Sequence, residues 1–264
     1  MLRFLSKQLT ISSLTLGCFS CTVYTPMQPH ATLIRAKGEG EASAQLQASG
    51  RAEVKAAYSP LNHLLVMAAA TGRPSLPTQQ DGQQDNFRTL QYELGVGTYL
   101  PLNPHWSMQL AAGTGAAHVQ RTVSEFGIFL AFSNDYEARY SKNFGQLGFA
   151  YQAKETGIGF GYQLTQVAFS QLSAQDRSGN QTRYELPLDN QLRHELYAFG
   201  RYALDGPIAQ SRWQLQASTA YSFCVPGRSG SVPDPYSEVA ARAQFNRGSS
   251  WLASFGIVYV LRPR

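Results

Sequence analysis

The chain has 264 residues, of which 15% are charged and 43% hydrophobic, and its formal net charge is +5. An ordinary soluble domain has about 25% charged residues, and the lysines and arginines here are scattered singly, so we expect no nucleic-acid partner. Beyond the first twenty or so residues no apolar run approaches the roughly 20 residues that a membrane-spanning helix needs, which excludes a helical membrane protein.

The amino terminus has the pattern of an export signal. Arg3 and Lys7 form a basic start, residues 9–19 form an apolar core, and a small residue directly precedes each of Cys18 and Cys21. A cysteine at this place is typical of a bacterial lipoprotein signal, in which cleavage exposes the cysteine and lipid is attached to it. Neither cysteine fits the pattern cleanly, so both remain candidates for lipidation, and an ordinary secretory signal is the alternative.

The next segment, up to about Lys37, is rich in Thr, Pro and Gln and has no helix or strand period, which predicts a tether. From Gly38 onward the hydrophobic pattern alternates with period two, most clearly in RWQLQASTAYSFC, residues 212–224. The alternation predicts ten strands, at residues 39–48, 52–59, 63–71, 88–100, 105–119, 138–153, 156–171, 191–204, 212–224 and 249–261.

The length of these segments favours a membrane barrel. Several have about a dozen residues, whereas strands of soluble sheets average about 5 to 6 and a strand crossing a bilayer needs about 9 to 11. Their number is even, and short connections such as SPLN and PLNP alternate with long ones. Because hydrocarbon cannot satisfy backbone polar groups, such a sheet must close. The sequence therefore predicts an all-β, closed, antiparallel up-and-down transmembrane barrel with both ends of the chain on the periplasmic side.

In such a barrel the apolar faces point to lipid and the polar faces point into a narrow lumen. The aromatic residues expected at the periplasmic interface are Tyr58, Tyr99, Trp106, Tyr151 and Tyr202. The polar side chains expected to fill the lumen are Gln91, Glu93, Gln109, Arg193, Glu195, Arg201, Arg212 and Gln214. Buried charges of both signs would pair there, because an unpaired one is costly.

The segment CTVYTPMQPHATLIRAKGEGEASAQLQ resembles the start of a group of lipid-anchored outer-membrane β-barrel proteins of Bacteroidota. The matching residues are Cys21, Val23, Tyr24, Pro26, Lys37, Gly38 and Glu39. The resemblance implies that Cys21, rather than Cys18, carries the lipid. The expected division is then a signal peptide at 1–20, a lipidated tether at 21–37 and an outer-membrane barrel at 38–264.

Three functions are compatible with such a barrel, since a fold does not supply an activity. The first, which we favour, is a structural or small-solute barrel without catalysis. The second is a hydrolase at the outer rim, with His118 and His194 near Asp135 and Asp189; a histidine within hydrogen-bond reach of an aspartate in an open cleft would favour it.

The third function is binding by the long outer loops, whose guanidinium groups suit phosphate or sugar-acid groups. The arginines concerned are Arg73, Arg88, Arg177, Arg183, Arg228, Arg242 and Arg247. The expected partners are outer-membrane lipid, the barrel-insertion machinery and, at the loops, lipopolysaccharide, a glycan or a protein. No cofactor or metal is expected, because no phosphate-binding, metal-ligand or nucleophile motif is present. A soluble lipocalin-like barrel is the competing fold.

Overall fold

The computed structural model describes residues 24–74, 78–80, 83–126, 131–176, 183–186, 190–224 and 248–262. All regular elements in these ranges are β-strands. Within the same ranges, no helix has the length and apolar character to cross a membrane. The strands are β1 (Gly40–Gln47), β2 (Ala52–Tyr58), β3 (Leu65–Arg73), β4 (Thr78–Gln80), β5 (Gln83–Pro101), β6 (Trp106–Phe126), β7 (Ala131–Gln152), β8 (Thr156–Asp176), β9 (Arg183–Glu185), β10 (Gln191–Ala203), β11 (Trp213–Cys224) and β12 (Ser250–Leu261).

The sheet closes on itself. Every pairing is antiparallel, and β12 returns to β1, with Leu261 opposite Gly40. The short β4 continues the line of β3 along β5, and β9 continues the line of β10 along β8. The barrel therefore has ten strand positions, which confirms the predicted closed antiparallel all-β barrel.

The two ends of the barrel differ. We call the end with the connections 59–64, 102–105, 153–155 and 204–212 the turn end, and the opposite end the loop end. Short connections of this kind are typical of the periplasmic end of an outer-membrane barrel.

The wall is higher on one side. Strands β1 to β3 have 7 to 9 residues, whereas β5 to β8 have 19 to 22. At the loop end these four strands extend five to seven residues beyond the predicted bounds. The prediction stopped where the apolar alternation ends, although the strand pairing continues. In this projecting part the inner faces pack as an apolar cluster that includes Phe87, Val119, Tyr136, Ala138 and Leu172.

The outer face of the wall is apolar and the inner face is polar. On β10, Leu192 and Leu196 are 44% and 52% exposed, whereas Arg193 and Glu195 are 0% and 1% exposed. A soluble barrel would show the reverse, because water would then cover the outside. Exposed leucines alternating with buried charges are what a strand between lipid and a polar lumen requires.

Aromatic side chains surround the turn end. Trp106 contacts Tyr151, and Trp213 lies 4.7 Å from Tyr259 between ring centroids. Tyr58 and Tyr202 are exposed on the same outer face, as the sequence predicts. Tyr99 is different: it points into the lumen, where its hydroxyl lies 2.9 Å from Ser59 Oγ. The odd-numbered positions of β5 face inward, so the interface position predicted for Tyr99 is wrong.

Candidate functional site

The lumen is occupied by the chain itself. Residues 24–34, which we call the lumen strap, lie inside the barrel, and all of them except Ala31 are buried. The sequence predicted that residues 21–37 form a tether outside the barrel. Residues 24–34 lie in the lumen instead, where the polar inner wall supplies partners for their backbone groups.

The strap has a defined direction. Tyr24 lies toward the loop end, where its hydroxyl donates to Glu195 Oε1 at 3.0 Å and its ring lies 4.4 Å from the Arg193 guanidinium carbon. Arg35, directly after the strap, donates to the carbonyls of Pro104, Asn103 and Trp106 at the turn end. The chain thus descends through the lumen toward the turn end before β1 begins.

The wall binds the strap mainly through backbone carbonyls. Side chains of five strands donate to seven of them: Gln91 to Thr25 (2.8 Å), Arg51 just before β2 to Pro26 (2.7 Å), Lys55 to Pro29 (3.2 Å), Gln146 to His30, Arg201 to Ala31 (2.5 Å), Gln109 to Thr32 (2.6 Å) and Gln152 to Leu33 (2.9 Å). Two carboxylates accept from backbone N–H groups of the strap, Glu41 from Leu33 N at 2.9 Å and Glu53 from Gln28 N at 3.4 Å. The strap is therefore bonded to the wall along its length.

Three ion pairs lie in the lumen around the strap. Lys55 Nζ lies 2.7 Å from Glu53 Oε1, and Arg201 Nη2 lies 2.9 Å from Glu41 Oε2. Lys142 pairs with Glu93, and both side chains are 1% exposed. Each of these six charged groups has a partner of opposite sign, which offsets the cost of removing it from water.

Most of the polar cluster predicted from the sequence lies in the lumen. The residues buried there are Gln91, Glu93, Gln109, Arg193, Glu195, Arg201 and Gln214. Arg212 does not join them: it is exposed in the connection before β11, because that strand begins only at Trp213. Sequence reasoning missed Glu41, Glu53, Lys55 and Lys142, although each stands at an inward position of the period-two pattern.

The two candidate histidines lie on the outer face of the wall. His118 Nε2 is 3.2 Å from Glu137 Oε1, and the two side chains are 41% and 29% exposed. His194 Nδ1 is 2.6 Å from the Tyr162 hydroxyl, and its ring stacks on Phe223. Within the described ranges neither histidine hydrogen-bonds an aspartate in a cleft, and no group of three His, Cys, Asp or Glu side chains could hold a metal ion. Asp189 lies outside the described residues.

Several other predicted residues also lie outside the described residues: the signal peptide, Cys18, Cys21, Arg177, Arg228, Arg242 and Arg247. Of the described arginines, Arg88 is exposed on the outer face of β5 and Arg183 lies 3.4 Å from Glu185. Arg73 lies over the Phe87 ring, 5.4 Å from its centroid. These arginines therefore do not form one cluster.

Comparison with known proteins bears on the fold. No protein-family model and no curated protein match this chain. The outer membrane protease OmpT from Escherichia coli is similar in structure, with a TM-score of 0.52 and 12% identity over 84% of this chain and 93% of that one. The translocator domain of the autotransporter NalP from Neisseria meningitidis gives a TM-score of 0.43 and 8% identity over 84% and 86%. At such identities the likeness concerns the fold alone, and the chain folds as an outer-membrane β-barrel.

Proposed function

We propose that this protein is an outer-membrane barrel whose lumen is closed by the lumen strap, and that its role is structural or surface-binding rather than solute passage. The observation that carries this proposal is the bonding of seven strap carbonyls to the wall. A solute would have to displace the strap and leave buried donors without partners, at about 1–3 kcal/mol for each.

The cavity beside the strap at His30 is small. A cavity of about 10 Å³ lies next to His30, Lys55, Glu41 and Arg201, which is space for about one water molecule. A ten-stranded barrel is only slightly wider than one that side chains alone can fill. The strap and the lumen ion pairs therefore favour a plugged lumen over an open channel.

The surface-binding role rests on the projecting wall of β5 to β8. Its inner faces are joined by the apolar cluster around Val119 and Ala138, both of which are 0% exposed. Its outer face carries the exposed Arg88 and Arg139. This projecting wall, with its exposed guanidinium groups, suits lipopolysaccharide, a glycan or an acidic protein, with outer-membrane lipid around the lower wall.

The direction of the strap bears on lipidation. Three residues of extended chain span at most about 11 Å, and Tyr24, where the described strap begins, lies toward the loop end. This supports an anchor in the leaflet at the loop end rather than the periplasmic anchor expected from the sequence. Lipidation itself, and kinship with the lipid-anchored barrels of Bacteroidota, stay predictions.

The proposal includes no catalytic step. The alternative, a rim hydrolase, is less favoured because His118 pairs with Glu137 on the outer face and His194 pairs with a tyrosine. Incubation of the folded barrel with a mixed peptide library, followed by mass spectrometry, would support the hydrolase if cleavage products appeared and were lost in His118→Ala or His194→Ala.

Conductance tests the closure. The full chain in a planar bilayer is expected to pass no steady current, whereas a variant that lacks residues 24–34 is expected to pass one. The folded state of each is checked by its compact migration on a cold detergent gel. A steady current through the folded full chain would overturn the proposal.

A further inference from the structure

We propose that the lumen is a binding site for an extended polypeptide, which it recognises mainly by the main chain, and that the lumen strap is its resident occupant. This inference rests on the closure proposed above and names the ligand class of the same site. The site would accept other extended segments of similar length.

The first support is the type of contact. Glutamine, arginine and lysine side chains around the lumen direct their N–H groups at strap carbonyls, as between Gln109 and Thr32 (2.6 Å) and between Arg51 and Pro26 (2.7 Å). Glu41 accepts from the backbone N–H of Leu33. Carbonyls and N–H groups are common to every polypeptide, so these contacts do not depend on the side chains of the ligand.

The second support is the distribution of the donors. They stand on β2, β5, β6, β7 and β10 or directly before them, and thus surround the strap rather than form one edge. Most are held by the wall itself: Arg51 Nε also donates to Gln47, and Arg201 Nε to Gln216. Donors fixed in this way remain in place when the ligand changes.

The third support is the strap's own sequence. Pro26 and Pro29 favour an extended backbone and carry no N–H that the lumen would have to satisfy. The side-chain hydrogen bonds and apolar-cluster contacts lie near the two ends, at Tyr24 beside Glu195 and at Leu33 and Ile34 near the turn end. The middle side chains Met27, Gln28 and His30 are buried outside these clusters. The middle of the strap is therefore the part that other sequences can replace.

The test uses the full chain with a site-specific protease sequence inserted between Ala36 and Lys37, which are both exposed before β1. Cleavage of the folded barrel leaves the strap unattached. Two fluorescent peptides are then offered: residues 24–35, and the same peptide with Ala in place of Gln28 and His30, which lie in the middle of the strap. Fluorescence anisotropy gives the affinity of each peptide, and the bilayer current shows whether the peptide closes the lumen.

Both peptides are expected to bind and to close the lumen, with affinities within about tenfold of each other. Replacing Gln91 and Gln109 by Leu should weaken both peptides by the same factor, about two- to tenfold for each lost donor. The matched control is Arg212→Gln, at an exposed arginine outside the lumen, which should leave both affinities unchanged.

Three results would overturn the inference. They are binding of the natural peptide alone, equal peptide affinities for the native barrel and for the barrel with Leu at positions 91 and 109, and no binding of either peptide. The variant without residues 24–34 offers the same site empty and is tested in parallel. Failure of the natural peptide to bind this empty variant also overturns the inference. Conductance of the uncleaved chain is measured separately, so a closed barrel that binds no peptide leaves the proposed function standing.

Discussion

Arg201 Nη2 lies 2.9 Å from Glu41 Oε2 and also donates to the Ala31 carbonyl, so one guanidinium joins β10 to β1 and to the lumen strap. Glu41 in turn accepts from the backbone N–H of Leu33. Strands β10 and β1 are not neighbours in the sheet, since β11 and β12 stand between them. The pair therefore holds the wall and the strap together across the lumen.

Arg201→Gln is expected to destabilise the barrel by about 3–5 kcal/mol, because Glu41 would stay buried without its cation. The measurement is the temperature at which the compact band on a cold detergent gel converts to the unfolded one. Arg212→Gln is the matched control, since that arginine is exposed. The double variant with Glu41→Gln should lose less stability than the sum of the losses in the two single variants. Equal transition temperatures for Arg201→Gln and Arg212→Gln would refute the role of the pair.

Gly161→Ala is expected to lower the free energy of unfolding by about 1–3 kcal/mol, the usual effect of overpacking a core. A Cβ on Gly161 would collide with the Leu147 carbonyl and the Tyr197 hydroxyl. That hydroxyl accepts from Gln146 Nε2 at 2.8 Å, and Gln146 also donates to the His30 carbonyl of the strap. The same gel transition measures the loss.

Gly200→Ala is the control for this prediction, because Gly200 lies on β10, three residues after Tyr197 and on the outer face, where a Cβ has no neighbour within 4 Å. It should leave the transition temperature unchanged or raise it, since Ala in a strand is more stabilising than Gly by about 0.5–1 kcal/mol. A Gly161→Ala barrel as stable as Gly200→Ala would mean that the Tyr197 ring is not held against β8.

The sequence predicts the barrel well because period-two alternation is a local pattern that directly records which face meets lipid. It predicts Arg193, Glu195 and Gln214 in the lumen for the same reason. The strap could not be predicted, because residues 24–34 have no period, and their burial depends on carbonyl contacts with Gln91, Gln109 and Arg201 that lie far along the chain. Arg212 was misplaced because β11 begins one residue later than predicted, which leaves Arg212 in the connection. Tyr99 was misplaced because it was assigned to the interface by its aromatic character, although its odd position lies on the inner face of β5.

The depth of the barrel in the membrane gives another prediction. The chain has three tryptophans, of which Trp213 lies near the turn end and Trp251 near the loop end, both exposed on the outer face. Phe255 is exposed between Trp251 and Tyr259 on β12, close to the middle of the apolar band. In single-tryptophan barrels, Trp213 and Trp251 should be quenched most by lipid brominated near the headgroup.

The control is Phe255→Trp in a barrel whose three native tryptophans are replaced by Phe. This tryptophan should be quenched most by lipid brominated near the ends of its chains. The reverse order of quenching for Trp213 and Phe255→Trp would place the apolar band elsewhere on the wall.

The stability that the connection between β10 and β11 gives to the turn end should depend on pH. The Ser211 hydroxyl and the backbone N–H groups of Arg212 and Trp213 bond the Asp205 carboxylate, and the Ser211 bond is the main cause that lowers its pKa below the ordinary value. A lowered folded-state pKa means that the carboxylate's stabilisation is complete above about pH 4, the ordinary pKa of Asp, and is lost as the pH falls through the folded-state value. Asp205→Asn should therefore lower the unfolding temperature at neutral pH, and the difference from the native chain should shrink in acid.

Asn103 provides the comparison, since its Oδ1 accepts from the backbone N–H groups of His105 (2.9 Å) and Trp106 (2.8 Å) in the connection between β5 and β6. Its amide does not titrate, so the loss caused by Asn103→Ala should stay constant over the pH range in which the Asp205→Asn difference closes. A gap between Asp205→Asn and the native chain that persists below the folded-state pKa would show that the turn needs the shape of the side chain rather than its charge.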